Sequence, residues 1–163
     1  MKKLLVAVLA LCMTPMALAV YSPLDEFVVL LQEAQAVDVH QREDDSVLFS
    51  WPAPASRRID SKTVAILLEL SEFSQKHPGL FVHFTVTADG TEQNRQELQN
   101  TLDYKADKLR ETLQKKAAES SQIYAIGVAN QHAGNRIFAA VEFHHDASRP
   151  LTVALPKQQP ASE

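Results

Sequence analysis

The chain has 163 residues, with 16 Lys and Arg against 20 Asp and Glu, four glycines and one cysteine. That acidic balance, with no basic cluster, argues against nucleic-acid binding, which draws its affinity from neutralised phosphates. One cysteine, Cys12, provides neither a disulfide framework nor cysteine-ligated zinc, and four glycines are little material for a glycine-built catalytic loop.

Residues 1–19 read as a cleavable secretory leader. Lys2 and Lys3 open it, Leu4 to Met16 form an apolar run too short to span a bilayer, and Ala17-Leu18-Ala19 supplies small residues for signal peptidase. Cys12 follows Leu11 rather than a small residue, so it reads as part of the apolar run and not as a lipidation site. The leader resembles bacterial Sec signals, which implies a periplasmic mature chain. Without Lys2 and Lys3 the net charge moves from −4 to −6.

Ser22-Pro23-Leu24-Asp25-Glu26 has the marks of a helix start: a hydroxyl cap, proline at the first helical position, and acids near the positive end of the dipole. Phe27, Leu30, Leu31 and Ala34 continue it at helical spacing, and this stripe over Ser22–Val37 is expected to pack on the domain, with docking on a partner as the alternative. Gln41 to Asp45 reads as a connection. Ser46 to Trp51 has the composition of a strand, stopped by Pro52 and Pro54. Trp51 is expected to cover the core rather than form an exposed contact.

Arg58 to Lys76 carries Ile59, Thr63, Ile66, Leu70 and Phe73 at helical steps and ends at His77-Pro78-Gly79. Leu80 to Thr87 alternates as a strand, and Asp89-Gly90 is a turn. Leu98, Leu102, Leu109 and Leu113 predict a long helix from about Glu92 to Ala118. Gln122 to Ala129 and Arg136 to His144 are two more strands, joined by a loop in which Gly134 is expected to be left-handed. Leu151 to Leu155, within the Pro-containing tail, is a candidate edge strand.

These elements predict an α/β (α+β) two-layer sandwich in which helices cover a mixed four-stranded sheet. The expected divisions are a leader at 1–19, an N-terminal helix and linker at 20–45, a domain at 46–145 and a loose tail at 146–163.

Lys105 draws the most attention. At about 100° per residue it falls within about 20° of Leu98, beside the apolar seam of its helix. A mid-helix lysine in that position must reach water or meet an acceptor. Asp89 precedes the same helix, so an acid and an amine are placed near the ends of the strands, where open α/β sheets tend to bind ligands. By spacing alone, the simpler account is that Lys105 snorkels to water and Asp89 closes its turn.

His144-His145-Asp146, with His132 before it, invites a metal reading. Adjacent strand residues point to opposite faces, however, and exposed histidines at a strand end are the expected state. His83 is expected on a sheet face, with His40 and His77 in connections. No nucleophile elbow, zinc-protease helix or phosphate loop is present in the sequence. The expectation is a non-enzymatic protein with no cofactor.

Taken in order, the segments resemble an OmpA-like domain with an extra N-terminal helix. Val47-Leu48-Phe49 and the Val64–Phe73 helix are similar to that family's opening, and Thr87-Ala88-Asp89-Gly90 resembles its Thr-Asp turn with one insertion. Leu102-Asp103-Tyr104-Lys105-Ala106, with Leu109 and Leu113, resembles its Leu-Ser-x-x-Arg-Ala helix, and Asn135-Arg136-Ile137 resembles the Asn-Arg-Arg of its last strand. The likeness spans roughly residues 46–145 and implies a βαβαββ core. It also implies non-covalent binding of peptidoglycan stem peptide: Asp89 on the ammonium of diaminopimelate, Lys105 on its carboxylate, Asn135 and Arg136 at the rim. Lysine stands where the family has arginine and so lacks the planar fork for a carboxylate. Leu98 and Leu102 replace the family's asparagine and serine, and the 130–135 loop is short. An adaptor on another envelope protein, docking through the N-terminal helix or the Trp51 segment without peptidoglycan, is the alternative implied.

Overall fold

A computed structural model describes residues 22–143, apart from 44, 55, 92 and 131–133. The elements in chain order are α1 (Pro23–Gln35), β1 (Asp38–Arg42), β2 (Ser46–Pro52), α2 (Ser61–Lys76), β3 (Leu80–Asp89), α3 (Arg95–Gln114), β4 (Gln122–Asn130) and β5 (Arg136–Phe143).

Helix α1 begins where its cap chemistry predicts. The Ser22 hydroxyl accepts from the Asp25 amide at 3.2 Å, and the Asp25 carboxylate accepts from the Ser22 amide at 3.1 Å, a reciprocal capping box. The buried stripe is Leu24, Phe27, Val28 and Leu31. This corrects the sequence reading: Leu30 is 59% exposed, and Ala34 also faces outward. Spacings of three and four residues starting at Leu24 select Val28 and Leu31, and the side chains one step round the helix then turn to solvent. The buried face packs on the domain, with Phe27 stacked on Phe73 of α2 at 4.4 Å between ring centroids.

The sheet has five strands in the order β1-β2-β5-β3-β4, so it gains one strand over the expected four. Strand β1 forms within a segment that reads as a connection, and it contains His40. As an edge strand it turns only Val39 toward the core; Asp38, His40, Gln41 and Arg42 are exposed, so no apolar alternation marks it. Strands β2 and β5 pair antiparallel, β5 and β3 antiparallel, and β3 and β4 parallel. The parallel pair is linked by α3, as a crossover requires.

All three helices lie on one face. From that side the sheet offers Val47, Phe49, Trp51, Val82, Phe84, Val86, Ile137, Ala139 and Val141, all buried. Trp51 is fully buried and its indole N–H donates to the Thr63 hydroxyl at 3.0 Å, so it covers the core as expected. The α3 seam of Leu102, Lys105, Ala106, Leu109 and Leu113 is buried against the sheet. At Gly127 the helix backbone rests on β4 directly: a Cβ there would lie 2.6 Å from the Asp103 nitrogen and the Leu102 carbonyl carbon. Only glycine allows this approach.

Candidate ligand site at the upper end of the sheet

The end where β3 and β4 finish and β5 begins is here called the upper end. Strand pairing sets Thr87 opposite Arg136, Pro52 opposite Arg136, and Asp89 opposite Asn130. Asp89, Lys105, Asn135 and Arg136 all reach this end.

Asp89 is exposed at the last position of β3, and its carboxylate accepts from the Gly134 amide at 2.7 Å. Gly134 has φ +65°, the left-handed backbone expected of it, and its carbonyl accepts from the Thr87 hydroxyl at 2.9 Å. Asn135 is exposed, and its backbone carbonyl accepts from the Ala53 amide at 2.8 Å. That bond ties the loop before β5 to the chain leaving β2.

Lys105 is only 7% exposed, although it carries an ammonium. Helical geometry holds its stem between Leu102 and Leu109, and its Nζ donates to the Pro54 carbonyl at 2.5 Å. Burial pushes the Lys105 ammonium below the usual lysine range, and the Asp60 carboxylate opposes this by favouring the charge. Asp60 is itself the cap of α2, accepting from the Thr63 amide at 2.9 Å. The acid whose field Lys105 feels is therefore at the start of α2, and among the described residues no hydrogen bond joins Lys105 to Asp89. Lys105 approaches the upper end from the helix side, and Asp89 from the last residue of β3.

Arg136 is half-buried on the uncovered face. It forms an ion pair with Asp38 of β1, and its guanidinium donates to the Ser50 hydroxyl at 2.7 Å and 3.0 Å. Ser50 Oγ also lies 2.6 Å from His40 Nε2. Arg136 can only donate, so Ser50 Oγ serves as an acceptor toward the guanidinium. Ser50 and Gln99 were not legible as contributors. Ser50 is a polar residue in an apolar strand, which is a faint signal. Gln99, whose side chain bonds the β4 backbone, has none.

The metal reading of His132, His144 and His145 falls outside the described residues. Among the described residues, no three of His, Cys, Asp and Glu are placed to hold a metal ion, and no helix is long and apolar enough to cross a membrane.

No family model matches the sequence, and no curated protein matches it. Solved structures do match in shape. A putative MotB-like protein from Desulfovibrio vulgaris superposes with a TM-score of 0.56, covering 75% of this chain and 92% of its own, at 8% identity. The periplasmic domain of Helicobacter pylori MotB (residues 90-256) gives 0.50, covering 70% and 83%, at 12% identity. The chain has an OmpA-like fold. The OmpA-like domain of FopA1 from Francisella tularensis subsp. tularensis SCHU S4 overlays more loosely, at a TM-score of 0.49 and 13% identity over 65% of this chain and 79% of its own. At such identities the likeness concerns the OmpA-like scaffold, and what is mounted on it has to be argued from this chain's own residues.

Proposed function

We propose that this OmpA-like domain works in the bacterial cell envelope as a non-covalent binding module. Its ligand is a peptidoglycan stem peptide, taken at the upper end of the sheet. The observation that carries the reading is the bonded chain just described. It brings an exposed acid, Asp89, and a cation held in the apolar seam, Lys105, to one end of a rigid scaffold. A zwitterionic ligand end needs one acceptor and one donor held apart in that way. Asp89 takes the ammonium through the carboxylate oxygen not used by Gly134. Lys105 has two further N–H donors beyond the one given to Pro54, and these serve the carboxylate. Asn135 and Arg136 form the rim. The likeness to a periplasmic domain supports the location, and the leader-like residues 1–19 agree with it.

A second reading has its own support. The three charged heads named for the site already have partners within the chain: Lys105 with Pro54, Asp89 with Gly134, and Arg136 with Asp38 and Ser50. A scaffold satisfied in this way would serve as an adaptor that docks on another envelope protein without holding peptidoglycan. Pull-down on purified sacculi separates the two. The stem-peptide reading expects retention of the native chain and loss with Asp89→Ala. Equal retention of both overturns the assigned site, and retention of neither favours the adaptor.

A further inference from the structure

Helices α1 and α2 lie antiparallel. Phe27 stacks on Phe73, and further along the Lys62 ammonium donates to the Ala36 carbonyl at 3.3 Å. Between their outer sides runs a groove of about 270 Å³, with the edges of Phe27 and Phe73 as its floor. The buried stripe of α1 is turned to the sheet, which leaves Leu30 on the groove wall with 59% of its surface exposed. The groove involves described residues only; the candidate edge strand Leu151–Leu155 lies outside them.

Small-molecule sites run from about 300 to 1,000 Å³ and enclose most of their ligand. This groove is smaller and lies on the surface, a size for one or two side chains of a larger partner. Glu26 stands on the α1 wall and Glu69 on the α2 wall, both exposed. Among the described residues neither carboxylate has an ion pair. Lys76 lies at the end where α2 finishes, near Pro23 at the start of α1. From Pro23 to Leu30 the helix advances about 10 Å, two turns.

We propose that this groove docks an amphipathic helix of a partner protein. Leucine-like side chains of that helix rest on Leu30 and the Phe27–Phe73 floor, with lysines or arginines on both flanks. A helix laid in a groove presents side chains to it at three- and four-residue steps, so two turns supply the anchors. The positions flanking that stripe come opposite the two walls, and an acid stands on each wall. Cations at those positions match Glu26 and Glu69 and fix the register. The partner helix runs with its C-terminus toward Lys76, where the negative end of its dipole meets a cation.

The same acids disfavour other occupants. An anionic lipid surface is repelled by Glu26 and Glu69. A second copy laid on the groove brings four carboxylates to one seam, Glu26 and Glu69 from each chain, with only the two Lys76 side chains to offset them. The groove is separate from the residues of the upper end, and the proposal stands whether or not a stem peptide binds there.

The test is NMR titration of the full chain with two peptides of about 16 residues. Both carry one leucine stripe at three- and four-residue spacing; one has lysine and the other glutamate at the remaining positions. The Leu-Lys peptide is expected to shift the Leu30 and Glu69 amides, and the Leu-Glu peptide to bind at least about tenfold more weakly. E26Q/E69Q and Leu30→Ser should each weaken the Leu-Lys peptide about tenfold. E97Q/E119Q removes the same charge from exposed sites elsewhere and should leave binding unchanged. Unmoved Val82 and Phe84 resonances report in every sample that the domain is folded. Shifts centred away from the groove overturn the proposal. Equal weakening by the two double substitutions also overturns it, because the attraction would then be one of net charge. Native dimerisation that Leu30→Ser abolishes gives the groove to a second copy, and binding to phosphatidylglycerol vesicles that Leu30→Ser abolishes gives it to a membrane; either result overturns the proposal.

Discussion

The Lys105 ammonium is held 2.5 Å from the carbonyl oxygen of Pro54, a contact that joins α3 to the chain leaving β2 across 51 residues of sequence. It places a cation inside the seam between helix and sheet, where a leucine would be the ordinary occupant. The position costs the charge part of its hydration, which the carbonyl and the Asp60 field only partly replace.

The pH dependence of that cost follows from its direction. Burial lowers the folded-state pKa of Lys105 below the unfolded value of 10.5, so the unfolded chain binds the proton more readily. The charge therefore costs stability at neutral pH, and the cost fades as pH rises from the lowered value to 10.5. Lys105→Met, similar in length and uncharged, is expected to match or exceed native stability at pH 7 in urea unfolding. Its advantage should narrow as pH approaches 10.5. A Met variant much weaker than native at pH 7 would mean that the Pro54 bond outweighs desolvation. In the sacculus assay the same variant should lose retention.

Gly127 is the point of closest approach between α3 and β4. Gly127→Ala places a methyl group against helix backbone, which cannot move aside as a side-chain end would. The expected loss is about 1–3 kcal/mol, the usual range for overpacking. The Ala129 amide, closed by Gln99, should exchange faster in the variant because the helix is pushed away from the strand. Native-like unfolding and exchange would contradict the contact.

His83 lies on the uncovered face of β3 with its Nδ1 buried and, among the described residues, without a hydrogen-bond partner. Burial lowers its pKa below 6.5. The unfolded chain takes up the proton first, so stability falls as pH drops below 6.5 and goes on falling through the lowered folded value. The native protein should lose urea resistance between pH 7.5 and 5 more steeply than His83→Gln, which has no proton to gain. Parallel slopes for the two would refute the assignment.

Asp25 closes the start of α1 and holds Arg42 of β1. The Arg42 hydrogen bond, more than any other contact, keeps this carboxyl below its ordinary 3.8, with burial pulling the other way. A lowered carboxylate contributes stability above its unfolded value and loses it as pH falls through the folded one. Asp25→Asn should speed exchange of the α1 amides at pH 7, and the difference should shrink as pH falls below 3.8 and close only beneath the lowered folded value. Persistent separation in acid would show that the capping geometry, and not the charge, does the holding.

Much of this architecture is legible from local pattern. Composition marks β2, and alternation marks β3 and β5 because one face of each meets the helices. The three- and four-residue steps of α2 and α3 follow from the same requirement in helical form. Strand β1 escapes notice because an edge strand with one inward residue has no alternation to display. The outward turn of Leu30 escapes it because several apolar residues crowd α1, and only the neighbour, α2, decides which of them are covered.

Helix periodicity alone put Lys105 on the seam of α3, since a period of 3.6 is a property of the backbone and needs no partner. Cap chemistry likewise marked Ser22, and the chirality of L-residues marked Gly134. The partners belong to the tertiary structure. Pro54, Asp60, Ser50 and Gln99 acquire their roles only when strands far apart in sequence are laid side by side, because a hydrogen bond is decided by distance and direction in space. Local sequence determines which group must find an acceptor; the packed sheet determines which acceptor it finds.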